Sequence, residues 1–254
     1  MADFVITHDG GIVEYRLTRP ESRNSLTFAM YQALEDLCRD PGGANVIVLT
    51  AEGDKSFASG TDISNFKDFD SAQDAIDYES MIGRVIDAVQ TASVPVIASL
   101  HGIVAGGGAA IAAAADIRLA TPDTRFGMPI ARTLGNCLSV ANLNRLVHLL
   151  GESRTRYLLL TAEFLGLQPL LDSGFVSEVL DDPEACDERA RALARHLTTL
   201  APLTVSATRE GLSRLSDRPI PEDVDLIQRC YLSDDFAEGI DAFFAKRKAN
   251  WMGR

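Results

Sequence analysis

The chain has 254 residues, 46% of them apolar and 24% charged, with a formal net charge of −12; that is enough for one large domain or two small ones with an ample core, and it argues against disorder and against broad nucleic-acid binding. A polyanionic ligand must therefore be held by local cations or backbone dipoles. The longest apolar run, residues 103–115 with three glycines, is too short to span a membrane, and the N-terminus has no basic leader pattern, so a cytoplasmic protein without a membrane partner is expected.

In chain order, residues 4–7 and 12–17 flank Asp9-Gly10-Gly11 and read as a β-hairpin. A helix is predicted over residues 27–39, stopped by Pro41-Gly42-Gly43. NVIVLT at 45–50 and PVIASL at 95–100 are short apolar runs of the kind buried in parallel sheets. Between them lie the polar loop AEGDKSFASGTD and a helix whose Ile82, Val85, Ile86 and Val89 share one face. A second strand-loop-helix unit follows, PVIASL-HGIVAGGG-AAIAAAAD, then a strand at 117–120. The repeated layout, glycine after a strand and before a helix, predicts successive turns of an α/β spiral. From residue 153 onward the pattern is helical apart from a short strand at 176–180. A core over 1–200 and a helical C-terminal lobe over 201–254 are expected, the lobe presenting Phe236, Ile240, Phe243 and Phe244 on one face and ending in Lys246, Arg247 and Lys248. Cys38, Cys137, Cys186 and Cys230 are widely spaced with no CxxC, which argues against a disulfide framework or a zinc site.

The glycine triplet of AGGGAAIAAAADIRLA, residues 105–120, needs a reason, because glycine weakens helices. GxGxxG is absent and no Lys-Ser or Lys-Thr follows, so neither a dinucleotide fold nor a P-loop is supported. What remains is a helix N-terminus bare of Cβ atoms, able to hold one oxyanion closely, with a second N–H on offer from Ala58-Ser59-Gly60-Thr61-Asp62. The competing reading is that Gly106, Gly107 and Gly108 only let a helix pack tightly on its neighbour.

SFASGTDI at 56–63, PVIASLHGIVAGGG at 95–108, ADIRLATPDTRFGMP at 115–129 and AEGIDAFFAKRKAN at 237–250 together resemble the crotonase, or enoyl-CoA hydratase/isomerase, superfamily, and RNSLT at 23–27 and LLTAEFLGLQPLLDSGFVSEVL at 159–180 fit the same pattern. The resemblance implies an α/β fold, a spiral of ββα units with a helical C-terminal trimerisation lobe, and hence a homotrimer or dimer of trimers. It also implies an acyl-CoA thioester as substrate, with coenzyme A present as part of that substrate and no other cofactor. The backbone N–H groups of Thr61 and Gly107 would form the oxyanion hole, with Ala58, Gly60, Asp62, Ile63 and Gly106 around the substrate. Arg23 and the cluster at Lys246 are candidates for the CoA phosphates; the cluster also suits a helix C-terminus with no ligand at all.

The chain departs from that pattern where the chemistry matters. The hydratases of the family use two glutamates, and the matching positions here are Ala110 and Ile130. Each acid or base is worth about 10²- to 10⁴-fold in rate, so a conventional two-glutamate hydration mechanism is not expected. The next segment, IARTLGNCLSVANLNRL, carries Arg132, Thr133, Asn136 and Cys137. Arg132 and Asn136 could orient a substrate carboxylate or a bound anion; alternatively Arg132 pairs with a local acid and Asn136 caps the helix starting near Ser139. Asp62 reads as a helix cap, His101 as structural, and Asp116 with Arg118 as a pair at the start of a strand. Three readings stay open: an enolate-forming enzyme on an acyl-CoA, a base-independent decarboxylase of a carboxyacyl-CoA, and a non-catalytic acyl-CoA-binding protein.

Overall fold

Residues 12–17 and 46–51 lie side by side in a computed structural model that describes residues 2–66, 72–133, 135–215, 233–235, 238, 242 and 245–254. Strand β1 (Phe4–Asp9) returns antiparallel into β2 (Ile12–Leu17) through Gly10 and Gly11, both at positive φ, as a two-residue hairpin requires. Thr27 caps α1 (Phe28–Arg39), its hydroxyl accepting from Met30 N, and α1 carries the chain over to β3 (Val46–Ala51), parallel to β2. The sheet then grows through β5 (Val96–Leu100), β7 (Ile117–Ala120) and β9 (Glu178–Val179), all parallel. The last is shorter than the strand expected at 176–180.

Every residue of β3 and β5 is buried, so both sheet faces must be covered. The period of two divides the labour: Ile47 and Leu49 join the main core, whereas Val46 and Val48 pack with Ile97 and Leu119 against Cys186, Ala190 and Ala194 of α7 (Pro183–Leu197).

A second sheet was not foreseen. Strands β4 (Ser56–Ala58), β6 (Ile103–Ala105) and β8 (Arg125–Gly127), three residues each, run parallel in that order. They lie in stretches that read as polar or glycine-rich loops, and a three-residue strand is too short to carry an alternation. With them the spiral resolves into three ββα turns: β3 and β4 before α2 (Ala72–Thr91), β5 and β6 before α3 (Gly106–Ala114), β7 and β8 before α4 (Val140–Leu150). Helices α5 (Glu152–Thr161) and α6 (Leu167–Asp172) precede β9, and α8 (Pro202–Arg214) follows α7. The expected apolar face of Phe236, Ile240, Phe243 and Phe244 lies outside the described residues.

Asp116 and Arg118 do not pair as expected. Asp116 accepts from Val96 N and from Arg209 Nε of α8, both at 2.7 Å, while the buried Arg118 donates to the carbonyls of Phe175, Ala112 and Ala115 and lies over the Phe175 ring. Among the described residues no helix is long and apolar enough to cross a membrane.

A charged cluster fastens α7 to the sheet. Glu14 accepts from Thr50 at 2.7 Å, from Arg191 at 2.8 and 2.9 Å and from Arg16 at 3.0 and 3.1 Å, and Arg16 also reaches Asp187 at 2.9 Å. Burial alone would raise the Glu14 pKa, but the hydrogen bonds from Arg191 and Thr50 and the charges of Arg191 and Arg16 outweigh it and bring it from 4.5 to about 2. A depressed carboxylate pKa stabilises the fold fully above the unfolded value, and the contribution is lost as pH falls toward the folded one. Glu14→Gln is therefore expected to cost about 2 kcal/mol at pH 7. In urea titrations the gap between native and variant should close as pH falls from 4.5 to about 2.

Candidate active site

The site loops all leave the C-terminal ends of the short parallel strands. β4 runs into 59–62, β6 into the glycine triplet, and β8 into the 3-10 turn Pro129–Ala131. The first loop is braced from behind by residues 23–27. Buried Asn24, at φ 53°, donates through Nδ2 to the carbonyls of Glu52 and Ser56 at 2.9 Å and accepts from Arg19 N at 2.9 Å. Leu26 N donates to Gly60 O and Asp62 N to Leu26 O, a parallel bridge in which Thr61 turns its own N–H the other way. Among the described residues no backbone carbonyl accepts from that N–H.

Each glycine in the second loop answers a distinct contact. Gly106 has φ 51°, and a Cβ there would lie 3.3 Å from Gly60 Cα; Gly60 itself has φ 114°. At Gly107 a Cβ would fall 1.8 Å from Tyr31 Oη, and at Gly108 2.4 Å from Ala58 Cβ and 2.8 Å from Ala58 O. Tight packing and an exposed N–H are thus one arrangement rather than rivals. The first N–H groups of α3 have no intrahelical acceptor and no side-chain cap, so the positive end of the helix is open at Gly107.

Thr61 Oγ1 sits between two phenols, 2.8 Å from Tyr31 Oη and 2.7 Å from Tyr78 Oη. Burial pushes both phenols up, so they stay protonated and hold the loop as hydrogen-bonding neutral groups.

Gly60, Thr61, Ile63, Gly106, Gly107, Ala110, Ile130 and Asn136 line one cavity, with Tyr78, Glu79, Ile82, Met128 and Leu138 among the rest of its wall. The structure thus brings most of the sequence candidates together. It leaves others aside. Arg132 is half-exposed, 3.8 Å from Glu163, and does not line the cavity. Ala58 is buried beneath Gly108, and Asp62 bonds Ser64 and Arg19. Arg23 and Lys246 are exposed, away from the cavity wall; Arg23 offers its carbonyl to Ser59 N and Ser56 Oγ, and Arg247 pairs with Glu238 at 2.6 Å. Asn136 does not cap α4: Ser139 does, accepting from Asn142 N, and Asn136 lines the cavity together with Glu79.

Glu79 is the residue the sequence reading missed. It stands three and seven residues before Ile82 and Ile86, so it extends the buried stripe of α2, and a carboxylate on an apolar helix face was the available signal. Burial raises its pKa; the hydrogen bond with Asn136 pulls it back in part.

The model of the enoyl-CoA hydratase/isomerase family matches residues 7–254. The chain belongs to that family. A crotonyl-CoA hydratase of Syntrophomonas wolfei is 28% identical over 94% of this chain and 93% of its own length, and a carnitinyl-CoA dehydratase of Salmonella enteritidis is 30% identical over 98% of each. The crystal structure of an enoyl-CoA hydratase/carnithine racemase from Magnetospirillum magneticum superposes with a TM-score of 0.90 at 28% identity, covering 100% of this chain and 97% of that one. The spiral of ββα units is therefore the enoyl-CoA hydratase/isomerase fold.

The glycine contacts give a test of opposite signs for one substitution. Gly108→Ala is expected to lower stability by about 1–3 kcal/mol, since Ala58 cannot yield without moving β4. Gly83→Ala, exposed on α2 with nothing within 4 Å, should raise it by about 0.5–1 kcal/mol. Thermal denaturation of the two variants checks both.

Proposed function

We propose that the protein binds an acyl-CoA thioester with its carbonyl oxygen between the N–H groups of Thr61 and Gly107 and acts on it through the enolate. The observation that carries this reading is the convergence of the two glycine-braced loops on one cavity wall, with the Thr61 N–H turned away from its own bridge partner. Two such donors favour an oxygen that gains charge during reaction over one that does not, and this is the basis of their rate effect. The relatives support the substrate class, being named for crotonyl-CoA and carnitinyl-CoA.

The two-glutamate pattern is missing in this reading. Ala110 and Ile130 both line the cavity, where methyl and sec-butyl groups stand in place of carboxylates. The decarboxylase alternative drew on Arg132 with Asn136: Asn136 lines the cavity, but Arg132, the cation a carboxylate would need, lies 3.8 Å from Glu163 and off the cavity wall, so it lends the alternative no support. Assembly as a homotrimer or dimer of trimers is part of the proposal, and exposed Leu212 and Leu215 at the end of α8 are consistent with a covered face there.

Crotonyl-CoA titrated into the protein is expected to bind, while its hydration should run at least about 10²-fold below that of a two-glutamate enzyme. Ala110→Glu with Ile130→Glu should raise the hydration rate. Absence of binding by any acyl-CoA, or native hydration as fast as that of a two-glutamate enzyme, would contradict the reading.

A further inference from the structure

An enolate formed by proton abstraction needs a group that moves the proton, and among the described residues the cavity wall contains one carboxylate. Its polar members besides Glu79 are the hydroxyls of Ser59, Thr61, Thr133 and Tyr78 and the amides of Asn136 and Asn142, none of which is a base near neutral pH. Glu79 follows Tyr78, which is itself fastened to the oxyanion loop through Thr61 Oγ1 at 2.7 Å, so the turn of α2 that carries the carboxylate is registered against the hole. Asn136 lines the same cavity, with its amide near enough to favour the charged carboxylate. We propose that Glu79 is the catalytic acid–base of this site, moving a proton between two carbons of the acyl chain, and that Asn136 is its positioning residue. The inference rests on the acyl-CoA reading above.

One carboxylate is sufficient for a balanced step. With a β,γ-unsaturated thioester, the Glu79 carboxylate takes the proton from the α-carbon, and the electron pair of that C–H bond passes into the carbonyl, giving a dienolate held at Thr61 and Gly107. Neutral Glu79 then returns the same proton to the γ-carbon. The double bond moves from β,γ to α,β, the carboxylate is restored, and neither water nor a second base takes part. Hydration, by contrast, adds a water and calls for a second group at the positions filled by Ala110 and Ile130.

The surroundings suit the task. Ile63, Ile82, Ala110, Met128, Ile130 and Leu138 make the wall largely apolar, which raises the Glu79 pKa toward the range where a general base both ionises and holds a proton. Among the described residues the titratable groups facing it are the phenols of Tyr78 and Tyr31, and no cation lines the cavity. An acid whose folded pKa is raised costs stability as pH rises through that value, so Glu79→Gln should fold at least as stably as the native protein at pH 7.

The test follows conversion of 3-butenoyl-CoA to crotonyl-CoA by the absorbance of the conjugated thioester, alongside calorimetric titration with crotonyl-CoA. Glu79→Gln is expected to lower kcat by about 10²-fold or more while crotonyl-CoA still binds, and Glu79→Asp to retain more activity than the glutamine variant. Native kcat should rise with pH through one ionisation, and Asn136→Ala should move that midpoint upward, because the lost donor had favoured the charged carboxylate. A Glu79→Gln protein with native kcat and pH profile overturns the proposal, as does a native protein that binds crotonyl-CoA without converting 3-butenoyl-CoA. A native protein that binds no acyl-CoA defeats the acyl-CoA reading itself and the role of Glu79 with it.

Discussion

The close stacking of β4, β6 and β8 is the constraint on which the rest of the site depends. Three short parallel strands from successive turns lie together here because glycines at their ends leave room for the neighbouring chain. A Cβ at Gly102 would stand 2.2 Å from Lys55 O, one at Gly108 2.4 Å from Ala58 Cβ, and one at Gly106 3.3 Å from Gly60 Cα. Because the strands are parallel, their C-terminal ends open on the same side, and the loops that follow meet there. The proposed oxyanion hole, built from two segments some 45 residues apart, would then be a consequence of sheet geometry.

Rigidity at Thr61 and Gly107 is supplied from outside their loops. Tyr31 comes from α1 and Tyr78 from α2, and both converge on the hydroxyl of Thr61. Tyr31 is fully buried and its hydroxyl fills the space that a side chain at 107 would take, so a single phenol fixes the height of both loops. Behind them Asn24 ties the loop to residues 52–56, and the Glu14 cluster ties α7 to the opposite sheet face. Donors held in this way need little reorganisation when charge develops on a bound oxygen.

Much of this was legible in the chain. The hairpin, α1, the buried strands β3, β5 and β7 and the glycine-led α3 follow from alternation, capping and breaker residues, because those signals are local. The short strands did not show: with three residues each, their existence depends on pairing between distant positions of sequence, as in Val104 with Ala58 and with Phe126. Arg132 and Asn136 read alike as polar residues beside a pocket, yet one lies by Glu163 and the other lines the cavity with Glu79, a choice made by α2 and by the loop after α5, not by neighbours in sequence. Glu79 was hidden for a different reason. The two positions where the family resemblance places carboxylates, Ala110 and Ile130, are apolar, whereas the stripe 79, 82, 86, 89 puts an acid on the packed face of α2.

The central claim is that Thr61 and Gly107 direct two N–H groups at one thioester oxygen. The carbonyl stretch of a ¹³C-labelled acyl-CoA, read by infrared difference spectroscopy on binding to the native protein, reports that polarisation without requiring turnover. The account predicts a shift to lower frequency than in water, reduced when Gly107→Ala displaces its loop against Tyr31. A bound thioester whose carbonyl frequency equals that of the free ester in water would contradict it.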